Sequence, residues 1–306
     1  DTVLVAMVDM QGRLIGKRFQ AEFFLDGAHE ETHGCDYLLA NDIDMEPVPG
    51  YQAANWARGY GDFVIRPDLA TLRWTPWAAG TALVLADVQD HHGDDLPHSP
   101  RAILKKQIAR LRERGWVGMF ASELEFYLFD ESYEDLHARD YRNPKTARYY
   151  VEDYHILQTT KDEYILGAIR RNLEAAGVPV EFSKGEAGKG QHEINLDYTT
   201  AVEMADRNSV YKLAAKEIAH FNGRSVSFMA KYDFNDTGSS CHIHSSLWTL
   251  DGQTAVFDDH HGPHGMSETF QHYLAGQIAT AREFSLLWAP TINSYKRFQL
   301  GSWAPT

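Results

Sequence analysis

The chain has 306 residues, 43% of them hydrophobic and 24% charged, an ordinary globular composition and enough length for two domains or one large sheet domain. A net charge of −14 argues against non-specific binding to nucleic acid or to an anionic membrane, and no stretch of about 18 apolar residues offers a membrane span. Cys35 and Cys241 are too few for a disulfide framework or a cysteine-rich metal site, so a reducing cytoplasm fits; the N-terminus carries no signal peptide and opens directly on strand-like sequence, as a trimmed chain would.

Residues 2–9 and 13–19 read as two strands joined by Asp9-Met10-Gln11-Gly12, a hairpin signal. The Gly/Pro/Asn/Asp-rich run 40–62 reads as a long loop, a feature often functional when ordered. Runs 63–65 and 81–88 are further strands, and Trp74 and Trp77 are expected to pack the segment between them. The polar run 93–100 marks a boundary between an N-terminal domain, 1–98, and a second domain, 99–306. A helix then starts with Ser99 as N-cap and Pro100 in its first turn, followed by Leu104, Ile108 and Leu111 at helical spacing. After a strand at 117–129 comes a polar, tyrosine-rich excursion, 131–158, expected to lie outside the core. Helices at 162–176, 201–221 and 267–287 alternate with two short strands in 179–198 and strands at 225–232 and 241–248, which is an α+β pattern.

Four runs carry chemistry. In 121–130, Glu123 and Glu125 alternate onto one strand face while Leu124, Phe126 and Leu128 take the other as a core face. Two carboxylates so close in an apolar strand either hold a divalent cation of the Mg²⁺ or Mn²⁺ type or lie on a wet face. In 186–193, Gly188 and Gly190 permit tight turns, and Glu193 follows on a strand with Gln191 and Asn195 on its face; a plain glycine turn between solvated strands is the other reading. In 237–248, His242 and His244 share a strand face, with Cys241 and Ile243 opposite; one imidazole suits a metal and the other an anionic substrate, against the alternative of ordinary core or surface histidines. In 293–298, Lys296 and Arg297 diverge on an extended segment, and Arg297 is of the type that holds a carboxylate bidentately, or is simply a surface base. His260, His261 and His264, in a Gly/Pro/Asp loop, read as solvated loop histidines, with weak metal binding the alternative.

Taken in order, these runs resemble the glutamine synthetase superfamily, over nearly the whole chain. The matching segments are Pro67 to Arg73 with Pro76-Trp77, Glu123 to Phe126, Glu186 to Ile194, Phe228 to Lys231, Gly238 to His244 and Asn293 to Arg297. The resemblance implies a small β-grasp-like N-terminal domain, a larger catalytic domain with a curved antiparallel sheet flanked by helices, ATP as co-substrate, and two Mg²⁺ or Mn²⁺ ions. By position, Glu125, Glu186 and Glu193 would ligate one ion, and Glu123 and His242 the other. Gly238, Arg297 and Tyr154 match substrate positions, His244, Ser246 and Tyr198 the nucleotide region, and Arg297, Glu186 and Trp303 the reacting centre. Ring-shaped homo-oligomers of stacked hexamers, a dodecamer, follow from the resemblance alone.

Departures from the family pattern shape the expected activity. Val48 stands at the N-terminal acidic position that binds ammonium, with Glu46 two residues away, and Trp303 replaces a glutamate of the same site. A desolvated ammonium ion needs negative partners, whereas an indole suits an alkyl amine. The expectation is therefore an ATP-dependent glutamate–amine ligase acting on a polyamine, ethanolamine or a monoamine through γ-glutamyl phosphate. Glutamine synthesis from ammonium is the alternative, and a non-catalytic glutamate or nucleotide sensor a further one. Ser240 stands where a glycine is usual, stiffening the loop before His242, and the chain stops at Thr306, short of nucleotide-binding arginines and one metal-ligand glutamate that the family carries.

Overall fold

In the computed structural model, which describes residues 1–304, the N-terminal alternation forms the expected hairpin: β1 (Thr2–Val8) pairs antiparallel with β2 (Leu14–Gln20). Asp9 closes its turn by accepting from the backbone N–H groups of Gln11 and Arg13 at 2.9 and 2.8 Å, an Asx-type turn. The end of the chain at Thr306 lies outside the described residues.

The chain forms two units. The first comprises Asp1–Arg110, Arg171–Val178 and Ala201–Ala214. Its sheet adds β3 (Thr32–Cys35), β4 (Asp62–Pro67), β5 (Arg73–Trp74) and β6 (Thr81–Gln89) in the order β2-β1-β6-β4-β3, with β5 on β6. β1 and β6 run parallel and the other pairs antiparallel. Val5, Met7, Phe63, Ile65, Val84 and Val88 alternate inward to make its core. Trp74 is exposed rather than packed, on the two-residue strand β5 that pairs with β6.

One residue of the first unit was invisible to pattern reading. Arg101, in the first turn of the helix Pro100–Glu113, is buried, and its guanidinium reaches Asp68 (2.8 Å), Asp87 (2.6 Å) and Asp206 (2.9 Å). Burial pushes the Asp206 carboxyl up, whereas at Asp68 the bond to Arg101 and the charges of Arg101 and Lys105 outweigh burial and hold it below the usual range. Asp68 belongs to the Pro67 to Arg73 run, so that signature marks a structural ion network in this fold.

The second unit comprises Leu111–Arg170, Pro179–Thr200 and the described residues from Ala215 onward. Its sheet is antiparallel and centred on the long strand β7 (Trp116–Phe129). β8 (Val180–Gly185), β9 (Gln191–Leu196) and β10 (Thr199–Thr200) extend it through β9 and β10 on β7, and β11 (Ser225–Ser227) and β12 (Cys241–Thr249) also pair with β7. With the helices Glu163–Ala175, Ala201–Phe221 and Glu268–Thr280, the class is α+β.

Several local expectations change. From Leu124 to Phe129, β7 is buried on both faces, since Tyr127 and Phe129, on the same side as Glu125, pack with Leu136 and Tyr232. The excursion 131–158 forms the short helices Tyr133–His137 and Ile156–Thr160 and contains a fully buried Glu152, so it is not outside the core. The strand expected over 225–232 stops at Ser227, because the backbone of Lys231 bonds to the Asn293 side chain instead of a ladder. The last helix ends at Thr280 and is followed by the one-turn helices Ser285–Trp288 and Ile292–Tyr295.

Candidate active site

Strand register decides what each candidate side chain meets. Glu125 stands opposite Glu193 on β9, while Glu123 has His242 of β12 on one side and Asn195 of β9 on the other. Glu193 in turn faces Lys184 on β8. The sheet therefore lays carboxylates from two neighbouring strands side by side, and the β8–β9 turn adds Glu186.

Glu125 is buried and accepts from the Ser240 N–H (3.0 Å), the Ser240 hydroxyl and Gln191 Nε2 (3.1 Å). Burial still pushes its pKa up, with Glu186 adding to the shift and the Ser240 bonds opposing it. Gln191, also buried, reaches the Gly238 carbonyl and the Ser239 hydroxyl at 3.0 Å each, tying the β12 approach to β9. The turn itself needs its glycines. A Cβ on Gly188 would sit 1.9 Å from the Tyr127 hydroxyl, and Gly190 has φ +76°, a region that side chains disfavour.

Glu193 is pushed up to about 7, first by burial, then by the charges of Glu186, Glu123 and Glu125, with Lys184 opposing. Glu186 bonds the Lys184 ammonium. Ligand oxygens of Glu125, Glu186 and Glu193 lie within 4.8 Å of one another, as do ligand atoms of Glu123, Glu193 and His242. The two expected ligand sets are thus brought together and share Glu193. Oxygen-rich sets in which burial first, and mutual repulsion with it, raise a carboxyl pKa match the donor chemistry of Mg²⁺ or Mn²⁺, which would relieve that repulsion.

His242 Nδ1 lies 3.1 Å from one Glu123 oxygen and His244 Nε2 2.9 Å from the other, so both histidines converge on a single carboxylate. Ile243 and Cys241, on the opposite strand face, are exposed as well. His244, Ser246 and Tyr198, the expected nucleotide contacts, all line one cavity of about 520 Å³, together with Glu123, Asn195 and Trp248. Glu123 therefore borders both the cavity and the carboxylate cluster.

Gly238 and Arg297, the expected glutamate contacts, touch: a Cβ on Gly238 would come within 2.7 Å of Arg297 Nε. Arg297 Nη1 donates to the Ser239 carbonyl at 2.9 Å. Arg297 follows the short helix Ile292–Tyr295 rather than lying on an extended segment. Tyr154 is exposed and its ring centre lies 4.7 Å from the Lys184 ammonium, which places it at the cluster through Lys184. The Trp303 side chain is fully exposed and lines neither the cavity nor the carboxylate groups. Pattern reading missed Lys184 and the second hydrogen bond of Ser240. The only available signal was the unusual serine before Cys241 and His242.

A family model described as the glutamine synthetase catalytic domain matches residues 97–306. Among curated proteins, the chain is similar to gamma-glutamylethanolamide synthetase GlnA4 of Streptomyces coelicolor, 49% identical over an alignment covering 100% of this chain and 65% of that protein. It is also similar to glutamate–isopropylamine ligase of a Pseudomonas species, 37% identical over 99% of this chain and 66% of that one. Among solved structures, "GmaS/ADP complex-Conformation 1" superposes with a TM-score of 0.83 at 26% identity, covering 99% of this chain and 65% of that chain. The chain thus spans about two thirds of the length of these relatives.

Proposed function

The chain belongs to the glutamine synthetase catalytic-domain family, and from that premise we propose that the protein is an ATP-dependent ligase joining the γ-carboxylate of glutamate to an organic amine. The γ-phosphoryl group of ATP passes to a γ-carboxylate oxygen, releasing ADP. The amine nitrogen then attacks the carbonyl carbon of γ-glutamyl phosphate, phosphate leaves, and the nitrogen sheds a proton. Residues 99–306 form the catalytic domain in this reading.

The observation that carries it is the adjacency of three things at β7: the carboxylate groups, the cavity lined by His244, Ser246 and Tyr198, and the Gly238–Arg297 contact that bonds Ser239. Glu125, Glu186 and Glu193 would hold one divalent ion, and Glu123, His242 and Glu193 the other. Bound ions supply charge neutralisation of the phosphates. The chain's own groups do the rest. Arg297 pairs with a glutamate carboxylate, His244 and Ser246 contact the nucleotide, and Gln191 and Ser240 hold Glu125 in place. The organic-amine preference is supported by the two curated relatives, whose names specify ethanolamide and isopropylamine products or substrates. It draws no support from the exposed Trp303 indole. A cytoplasmic homo-oligomer, a dodecamer of two hexameric rings, completes the reading. Exposed Phe23, Leu25 and Trp56 on the first unit support association, and no described helix is long and apolar enough to cross a membrane.

Glutamate labelled with ¹⁸O in the γ-carboxylate tests the chemistry. The expected result is one labelled oxygen in each phosphate released. Unlabelled phosphate would mean that ATP is hydrolysed without acyl phosphate formation, and would overturn the reading.

A further inference from the structure

His192 and Glu193 are neighbours on β9 and face opposite ways. Glu193 joins the carboxylate groups, whereas His192 is fully buried behind the sheet, its ring centre 5.9 Å from that of Phe126. Each ring nitrogen meets its own carboxylate: Nδ1 lies 3.5 Å from Glu152 Oε2, and Nε2 lies 3.4 Å from Asp162 Oδ2. Both acids are as buried as the ring, and Asp162 also pairs with Arg148. Glu152 Oε2, Asp162 Oδ2 and both His192 nitrogens have no hydrogen-bond partner closer than this, so the four atoms answer only one another. Such a costly buried array calls for a physical explanation. One ligand atom from each of Glu152, His192 and Asp162 lies within 4.8 Å of the others, and Arg148 pairs with Asp162 through Oδ1, which leaves Oδ2 facing the ring. The ring and the two acids form one buried set of facing side chains behind the sheet.

What the array grips is the β8–β9 turn. Glu152 Oε1 accepts from the Gly190 N–H at 3.0 Å. Val151 bridges to Lys189, and the Tyr154 N–H donates to the Gly185 carbonyl at 3.2 Å. Gly185 passes so close that a Cβ would fall 2.5 Å from the Glu152 carbonyl oxygen. Both ends of the turn that carries Glu186, and the strand that carries Glu193, are thus fastened to residues 148–162 from behind.

We propose that the Glu152–His192–Asp162 array positions Glu186 and Glu193 for divalent-ion binding; the proposal rests on the metal sites of the ligase reading. These are positioning residues, buried on the face opposite the carboxylates. The groups they orient repel one another, so without the rear fastening they splay apart and the shared Glu193 leaves both ligand sets.

Mn²⁺ titration of the full-length protein without nucleotide, read by electron paramagnetic resonance, tests this with His192→Gln and Glu152→Gln. Thermal unfolding is followed in parallel. Leu136→Ala, a core truncation beside Tyr127 and Phe129, serves as a variant weakened in stability alone. The expected result is Mn²⁺ binding weakened by about 10- to 100-fold in both Gln variants and unchanged in Leu136→Ala, even at matched loss of melting temperature. Should His192→Gln fail to fold, Glu152→Gln decides alone. Wild-type Mn²⁺ affinity in folded Gln variants would overturn the inference and leave the ligase reading standing. Absence of Mn²⁺ binding by the wild type would overturn the metal sites themselves, and the inference with them.

Discussion

Asn293 grips the backbone of Lys231 from both sides: its Nδ2 donates to the Lys231 carbonyl at 2.7 Å and its Oδ1 accepts from the Lys231 N–H at 2.9 Å. One side-chain amide thus stands in for a neighbouring strand where the ladder has ended. It joins the segment that bears Arg297 to the loop that bears Gly238, Ser239 and Ser240. Arg297 bonds the same loop at Ser239, so Asn293 and Arg297 hold it together at two points.

Replacing Asn293 with Ala removes both bonds and leaves the Lys231 amide and carbonyl to find water, at a cost of about 1–3 kcal/mol. The expected kinetic result is a KM for glutamate raised about tenfold or more, with KM for ATP little changed, because the cavity proposed for the nucleotide is lined by other residues. Asn293→Asp keeps the acceptor and loses the donor, so it should fall between wild type and Ala. Equal rises in both KM values would contradict the local role.

Glu193 gives a pH-dependent test. Its carboxyl is pushed up to about 7 in the folded chain without bound ions, from an ordinary value of 4.5. A raised folded-state pKa means that stability is full below about 4.5 and declines as pH rises through about 7. Glu193→Gln should therefore stabilise the metal-free protein at pH 8, by about 1–3 kcal/mol, and make little difference at pH 4. Mg²⁺ should raise the melting temperature of the wild type and not that of the variant. A variant destabilised at pH 8 would show that the clustered charges are not in conflict.

The Arg101 network makes a stability prediction without any bearing on chemistry. Arg101→Met leaves Asp206 buried and unpaired, and is expected to cost about 3–5 kcal/mol, visible as a lower urea midpoint. Adding Asp206→Leu should recover much of that loss, since a packed apolar pair avoids the desolvation of two charges. No recovery in the double variant would mean that Asp68 and Asp87 carry most of the interaction.

What was legible in the sequence follows a physical divide. The alternation of Glu123 with Glu125, and of His242 with His244, could be read because strand geometry fixes faces at a period of two. The pairing of Glu125 with Glu193 and of Glu123 with His242 then needed register, which only the sheet supplies. Arg101, Asn293 and His192 were invisible for one shared reason: their partners lie 14 to 105 positions away, as in Arg101–Asp87 and Arg101–Asp206, so no single turn or strand repeat contains the interaction. The expected strand over 225–232 failed because a side-chain amide replaced ladder bonds, and the expected helix over 267–287 breaks after Thr280 into local backbone turns. Trp303 was read through an aligned position, and its exposed side chain is a property of folded context that position does not carry.

The central claim is that this protein ligates glutamate to an organic amine, and the most direct measurement is ATP-dependent phosphate release by the full-length protein with glutamate and Mg²⁺. Ammonium, ethanolamine, methylamine, isopropylamine, putrescine and spermine are compared at equal concentration, with the γ-glutamyl product identified by mass. The account predicts turnover with at least one organic amine well above that with ammonium. Turnover with ammonium alone, yielding glutamine, would contradict it.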